Sequence, residues 1–132
     1  MHRARRTEDR FDRVNLGEAE LVEQVAHGGV GRIRFARLVD GADAEGACNF
    51  VDLAVLAPGV SIGEHRHGAD EEEYYLVLDG RGTMRRGDEQ FEVAAGDLVR
   101  NPPGGSHGLT NTGEDDLRIF VFEVAVTEGS DR

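Results

Sequence analysis

Residues 59–80 read GVSIGEHRHGADEEEYYLVLDG, and this stretch decides the fold. His65 and His67 lie two residues apart in it. On an extended strand both side chains face the same side, because strand side chains alternate between the two faces. On a helix, residues at this spacing do not face each other. The stretch therefore predicts a strand that presents two imidazoles to one side.

A second stretch supplies a third imidazole. Residues 96–111 read GDLVRNPPGGSHGLTN and contain His107. The first stretch also carries a run of carboxylates at Glu71, Glu72 and Glu73. Imidazole and carboxylate are donors that suit Fe, Mn, Ni, Zn or Cu. Together the two stretches predict one divalent transition-metal site per subunit, built from distant parts of the chain.

The charge balance argues against two classes of partner. The 132 residues contain 26 Asp and Glu against 15 Lys and Arg, which gives a net charge of −11. Nucleic-acid binding needs a basic patch, and an anionic membrane surface repels such a chain.

The chain has a single cysteine, Cys48, which excludes an intrachain disulfide. We expect Cys48 to be a small side chain packed in the protein interior. The N-terminus lacks the apolar stretch of a signal peptide, so we expect a cytoplasmic protein.

Elsewhere the pattern predicts strands, with one exception. The 18 glycines separate short apolar runs from residue 31 onward, as is typical of strands and turns. The segment Asn15–Gly29 instead predicts a short helix, with Asn15 as its N-cap and Gly28 at its end. Its apolar stripe consists of Leu21, Val22, Val25 and Ala26.

The two stretches resemble the paired motifs of the cupin superfamily. The first motif is Gly-x5-His-x-His-x3–4-Glu-x6-Gly, and the second is Gly-x5-Pro-x-Gly-x2-His-x3-Asn. The second stretch matches at every defined position, and the first matches at its glycines and histidines. The matching residues are Gly59, His65, His67 and Gly80, then Gly96, Pro102, Gly104, His107 and Asn111.

The glutamate of the first motif needs a choice. Counting back from Gly80 selects Glu73, which leaves five residues after His67, whereas counting forward selects Glu71 or Glu72. We favour Glu73, because the strand register towards the glycine turn is rigid while the preceding loop can absorb an extra residue. A slip of one residue would turn the carboxylate to the other face, so Glu71 shares the orientation of Glu73 and Glu72 does not.

The resemblance implies an all-β fold, a double-stranded β-helix or jelly-roll barrel with a short N-terminal helical or irregular segment. We expect residues 1–30 to pack on or extend from the barrel, residues 31–126 to form it, and residues 127–132 to be a polar tail. The metal ligands it implies are His65, His67, Glu73 and His107. Candidate pocket residues, chosen by strand parity, are Tyr75, Val77 and Leu109.

The resemblance implies a metal-dependent enzyme whose small-molecule substrate, a keto or hydroxy acid, enol or sugar, binds the metal through oxygen. Dioxygenase, isomerase or cyclase, and decarboxylase chemistry stay open. The phrase EEYYLVLDGRG is similar to stand-alone cupins labelled mannose-6-phosphate isomerase-like. The alternative is a non-catalytic protein that uses the metal to bind a small carboxylate such as oxalate. Arg66 and Arg100 flank the motifs and could meet an anionic substrate.

Two further expectations concern the surface. Tyr74–Leu78 and Leu117–Val126 are apolar on both faces of their predicted strands, apart from Arg118 and Glu123. A small barrel buries only one face of each strand, so a partner subunit is expected to cover the other, and the sequence predicts a homodimer. The remaining histidines, His2 and His27, are expected to be solvent-exposed residues without a role.

Overall fold

The computed structural model describes residues 13–127 of the chain, and nearly all of its regular structure is β. Ten strands follow one another in two antiparallel sheets, as expected for a jelly-roll barrel. They are β1 Val22–Gln24, β2 Ile33–Asp40, β3 Cys48–Leu56, β4 Ser61–Arg66, β5 Glu71–Asp79, β6 Arg81–Arg86, β7 Glu89–Ala94, β8 Leu98–Asn101, β9 Ser106–Thr110 and β10 Leu117–Ala125.

The two sheets differ in size and enclose the core between them. The larger has the strand order β1-β2-β3-β10-β5-β8, and the smaller has the order β4-β9-β6-β7. Leu56 and Ile119 from the larger sheet meet Met84 and Leu109 from the smaller one, each at most 2% exposed. This apolar layer fills the barrel and forms the base on which the polar site rests. Within residues 13–127, no helix is long and apolar enough to cross a membrane.

The predicted helix over Asn15–Gly29 is wrong beyond a single turn. Asn15 does cap a turn, accepting a hydrogen bond from the Gly17 amide, but that turn is a 3₁₀ helix of three residues, Leu16–Glu18. The chain then forms β1, which pairs with Ile33–Phe35 of β2. So short a segment gains little from an isolated helix, and the edge of the sheet offers its backbone stable partners instead.

The motif asparagine stabilises the fold rather than the site. Asn111 is 1% exposed, and its side-chain amide donates to the carbonyls of Leu56 and Asp115, each at 2.8 Å. Its carbonyl oxygen accepts from the Gly113 amide. These bonds tie the β3–β4 connection to the β9–β10 connection across the two sheets, which makes Asn111 a structural residue of the barrel.

The outer face of the larger sheet is apolar and only partly covered. Along β5 and β10 the inward side chains enter the core, while the outward ones are half-buried. Tyr74 and Phe122 stack in this outer face with ring centroids 4.9 Å apart, and Phe120 lies beside Phe122. The described part of the N-terminal segment lines the inner cavity instead of covering this face. A second copy of the chain is the expected cover for such an apolar surface.

We therefore expect sedimentation equilibrium to give a dimer at micromolar concentration. Phe122→Asp would place a charge in the apolar outer face and should yield a monomer. The matched control is Ala94→Asp on the exposed side of β7, which adds the same charge to the smaller sheet and should leave the dimer intact. A monomeric wild-type protein would contradict the expectation.

Candidate metal centre

Four predicted ligands meet at one end of the barrel. His65 on β4 pairs in register with His107 on β9, His67 follows the end of β4, and Glu73 lies on β5. One ligand atom from each of the four residues lies within 4.8 Å of the others. The structure thus brings together all four side chains that the motifs indicated. They come from both sheets, so closing the barrel is what assembles the group.

The carboxylate of Glu73 is the centre of the group. Its Oε1 atom lies 3.1 Å from His67 Nε2 and 2.9 Å from His107 Nε2. Glu73 is 4% exposed and His107 1% exposed. The His65 ring meets the His107 ring edge-on, with centroids 4.5 Å apart. The four side chains are therefore close enough to share one ion.

The donor set fits a divalent transition metal. Three imidazoles and one carboxylate suit Zn, Fe, Mn, Ni or Cu, and they leave coordination positions for an outside ligand. His65 Nδ1 lies 2.8 Å from the Gly63 carbonyl oxygen, so this nitrogen carries the proton and Nε2 is left for a metal. Backbone hydrogen bonding of this kind is how metal-binding histidines are usually oriented.

The three neighbouring glutamates have different partners. Glu72 points to the opposite face, where its Oε2 accepts from the Arg100 Nε at 2.6 Å. Glu71 accepts from the Gly68 amide, and its Oε1 lies 3.4 Å from His67 Nδ1. Only Glu73 contacts two of the histidines through one oxygen. Arg100, a candidate for meeting an anionic substrate, is thus committed to Glu72 on the other side of the strand.

Burial and charge pairing shift the pKa values of the group. Burial would raise the pKa of the Glu73 carboxyl, but hydrogen bonds from His107 and His67 outweigh burial and lower it to about 2. The hydrogen bond to Glu73 raises the pKa of His67 to about 9. Burial lowers the pKa of His65 to about 4. Without a metal, His67 is thus an imidazolium at neutral pH and pairs with the Glu73 carboxylate.

Glu123 is a site residue that sequence reasoning missed. It lies on β10, 5% exposed, and its Oε1 is 3.2 Å from His67 Nδ1. The Asn49 amide holds its other oxygen at 2.8 Å, while burial raises the pKa of this carboxyl. Glu123, Glu71 and His67 form a second group of possible ligand atoms. The available signal was a charged residue at an inward position of an otherwise apolar strand.

The group faces a cavity of about 1680 Å³. Its lining includes His65, His67 and Glu73, whereas His107 lies buried behind them. Tyr75 lines the cavity and is 3% exposed, and burial raises the pKa of its phenol well above the usual value. Val77 and Leu109, the other two candidate pocket residues, lie within the hydrophobic core. Tyr75 is therefore the candidate that borders both the core and the cavity.

Two of the residues that line the cavity are arginines with hydrogen-bond partners of their own. Arg37 donates to both oxygens of Asp52, at 2.9 and 3.0 Å, and lies over the Phe50 ring. Burial raises the pKa of the Asp52 carboxyl, although the Arg37 hydrogen bond opposes this shift. Arg66 donates to the Gly104 carbonyl at 2.6 Å and also lines the cavity. Sequence reasoning noticed Arg66 but not the pair of Arg37 and Asp52.

The expectations for three residues outside the motifs can be compared with the structure. Cys48 is half-buried, and its thiol contacts the Phe50 carbonyl at 3.6 Å, in keeping with a packed side chain. His2 lies outside the described residues. His27 is exposed, as expected, but its ring stacks on His65 and lines the cavity. His27 therefore lies beside the candidate site, a position that the sequence did not indicate.

Comparison with known proteins identifies the family. The family model for a cupin domain, Cupin_2, matches residues 52–123, which include both histidine-bearing stretches. The chain belongs to the cupin family. The two antiparallel sheets of the structure agree with the barrel fold of this family.

Three similar proteins, two with a curated name and one with a solved structure, illustrate what this chain resembles. An oxalate-binding protein of Thermotoga maritima is 32% identical over 71% of this chain and 77% of its own length. The crystal structure of a predicted oxalate decarboxylase from Thermotoga maritima matches with a TM-score of 0.83 and 27% identity, over 87% of this chain and all of that one. Dimethylsulfoniopropionate lyase DddW of Ruegeria pomeroyi is 31% identical over 67% of this chain and 57% of its own length.

Because Glu72 and Glu73 have different partners, the same substitution at each should affect metal affinity differently. Glu73→Gln removes a charged donor, so the metal dissociation constant should rise by more than the roughly 10- to 100-fold expected for losing a supporting residue. Glu72→Gln has the same change in charge on the opposite face and should leave metal affinity unchanged. Titration with Zn²⁺ or Mn²⁺ against a competing chelator gives both constants. Equal losses in the two variants would contradict the assignment of Glu73.

The shifted pKa of His67 predicts proton release on metal binding. A ligand imidazole must be neutral, but the pKa of His67 is raised to about 9, so this ring is protonated at pH 7 in the metal-free protein. Binding at pH 7 should release about one proton. Affinity should rise with pH and level off above about 9. Calorimetry in buffers of different ionisation enthalpy measures the release, and the same value at pH 7 and above pH 9 would contradict it.

Proposed function

We propose that this cupin holds one divalent transition metal through His65, His67, Glu73 and His107, and binds a small oxygen-donor acid directly at that metal. The observation that carries the proposal is the position of the group at a cavity wall. His107 is buried behind it, while His65, His67 and Glu73 border the cavity. An outside ligand would therefore approach from the cavity, opposite the barrel core.

The charge of the group supports an anionic ligand. A bound divalent ion would act as a Lewis acid that attracts carboxylate, carbonyl or enolate oxygen. Glu73 offsets only part of the charge of such an ion, and the three imidazoles are neutral as ligands. Fe, Mn, Ni, Zn and Cu all suit this donor set. The choice among them is a matter for elemental analysis of the natively purified protein.

The rest of the cavity wall has both apolar and charged residues, which supports a small ligand that carries charged groups on a short carbon frame. Core residues form its apolar part, including Ile62, Tyr75 and Val121. Apolar walls exclude water and strengthen any electrostatic attraction at the group. Arg66, which also lines the cavity, adds a cation that can meet a second anionic group. A small dicarboxylate combines the features that this wall could recognise.

The relatives make oxalate the first ligand to test. The oxalate-binding protein of Thermotoga maritima is similar over most of both chains, and the predicted oxalate decarboxylase shares the fold at 27% identity. These are properties of those proteins and support oxalate here by similarity. Sugar isomerisation, suggested by the mannose-6-phosphate isomerase-like label, stays a prediction without comparable support.

Catalytic turnover of the bound acid is the second candidate. It is favoured by Glu123, a buried carboxyl 3.2 Å from His67 whose pKa is raised by burial. A carboxyl with a raised pKa, placed beside a ligand site, can exchange a proton with a bound substrate. Decarboxylase, dioxygenase and isomerase or cyclase chemistry would each use such a group. Oxygen dependence in paired aerobic and anaerobic assays separates the dioxygenase from the others.

Oxalate binding is expected to require the metal. Calorimetry with the Mn²⁺-, Zn²⁺- or Ni²⁺-loaded protein should show binding of oxalate, and prior removal of the metal with a chelator should abolish it. His107→Ala should lose both metal and oxalate, because it removes a buried donor. Arg100→Ala, on the opposite face of the larger sheet, is the control that should retain both. Oxalate binding that survives chelation would contradict the proposal, and consumption of oxalate would favour the enzyme.

A further inference from the structure

The loop between β1 and β2 brings a residue from outside the cupin motifs to the metal group. His27 lies in this loop, near the start of the described chain, and lines the cavity with His65, His67 and Glu73. It is the one residue other than glycine with a positive φ among residues 13–127, at 52°. Histidine is among the residues that adopt a positive φ most readily. Even so, a positive φ in a residue other than glycine is uncommon outside turns and functional loops.

The loop is fixed against the strand that carries His65. The Gly63 amide donates to the Ala26 carbonyl at 3.0 Å, and the Ser61 amide donates to the Val30 carbonyl at 2.9 Å. The Ser61 hydroxyl accepts from the Val30 amide at 2.8 Å. The loop backbone approaches so closely that a Cβ atom on Gly63 would overlap the His27 carbonyl oxygen. These contacts hold the backbone of His27 in place beside β4.

The side chain of His27 lies directly on a ligand imidazole. Its ring is parallel to that of His65, with an interplanar angle of 8° and centroids 3.6 Å apart. The edges of the two rings therefore run alongside each other. Neither ring nitrogen of His27 has a hydrogen-bond partner among residues 13–127, whereas His65 Nδ1 is bound to Gly63. His27 also lines the cavity, so a molecule bound there can approach its ring.

We propose that His27 is a specificity-determining residue whose ring N–H donates a hydrogen bond to an oxygen of the small acid held at the metal. This inference rests on the proposed function. An imidazole offers at least one N–H in either protonation state, so the role does not depend on a change of charge. The fixed loop gives the donor one orientation, and a preformed donor costs little to order when the ligand binds.

A purely structural role makes a different prediction. If His27 served only to hold the His65 ring by stacking, its loss would weaken the metal and the acid together. If it contacts the acid, the two affinities separate. His27→Phe keeps an aromatic ring on His65 but has no N–H, so it removes the hydrogen bond and retains the stack. His27→Asn removes the ring but keeps an N–H donor, and asparagine also accepts a positive φ.

The experiment measures two constants for each full-length variant by calorimetry, for Mn²⁺ and then for oxalate on the Mn²⁺-loaded protein. We expect His27→Phe to keep its Mn²⁺ affinity and to lose about tenfold or more in oxalate affinity, as for a hydrogen bond to a charged group. His27→Asn should bind oxalate more tightly than His27→Phe. Val30→Ala, an exposed residue of the same loop, should match the wild type in both constants.

Several results would overturn the inference, and they can be told apart. Wild-type oxalate affinity in His27→Phe would reject the hydrogen bond while leaving the proposed function intact. Wild-type constants in His27→Phe together with parallel losses of Mn²⁺ and oxalate affinity in His27→Asn would assign His27 to the support of His65 by stacking instead. A wild-type protein that binds Mn²⁺ but not oxalate would reject oxalate as the ligand in the proposed function, and the inference with it.

Discussion

The burial of the Glu73 carboxylate is the constraint on which the rest of this end of the barrel depends. Moving an ionised carboxylate out of water is costly unless it is paired and hydrogen-bonded. Here the residue is 4% exposed, and one oxygen is shared by His67 and His107. β4, β5 and β9 must all be in register for those contacts to form, because a slip of one residue would turn a side chain to the other face.

The same constraint explains what could be predicted from sequence. Strand parity gave the common orientation of His65 and His67, and the rigid spacing to Gly80 distinguished Glu73 from Glu72. These inferences use a period of two along a single strand, which the sequence shows directly. The apolar runs of β5 and β10 likewise indicated that both strands are buried on the barrel side.

The residues that escaped prediction reach the site through contacts between distant strands. Glu123 meets His67 because β10 pairs with β5, and Arg37 meets Asp52 because β2 pairs with β3. Such pairings cannot be derived from local periodicity. His27 was harder still, since the segment before it suggested a helix. Its position follows from β1 joining the sheet edge and from a loop docked on β4, both of which are tertiary effects that override local propensity.

The charges around the cavity would make the proposed metal and an anionic ligand mutually dependent. Among residues 13–127, six carboxylate residues line the cavity against three arginines, consistent with the net charge of −11 for the chain. They are Glu20, Asp40, Asp52, Glu71, Glu73 and Glu123 against Arg13, Arg37 and Arg66. Of these arginines, Arg37 is paired with Asp52 and offsets little beyond that residue.

A small dianion entering this cavity without a metal would therefore meet net repulsion. Glu73 contacts His67 at Nε2 and Glu123 contacts it at Nδ1, so the positive charge of this ring is paired with two carboxylates and leaves little for a ligand. A divalent ion in place of that proton raises the local charge at the point where His65, His67 and Glu73 border the cavity. Under the proposed function, selectivity for acids would thus come from the ion and the donors beside it, while the acidic walls would disfavour anions in the metal-free protein.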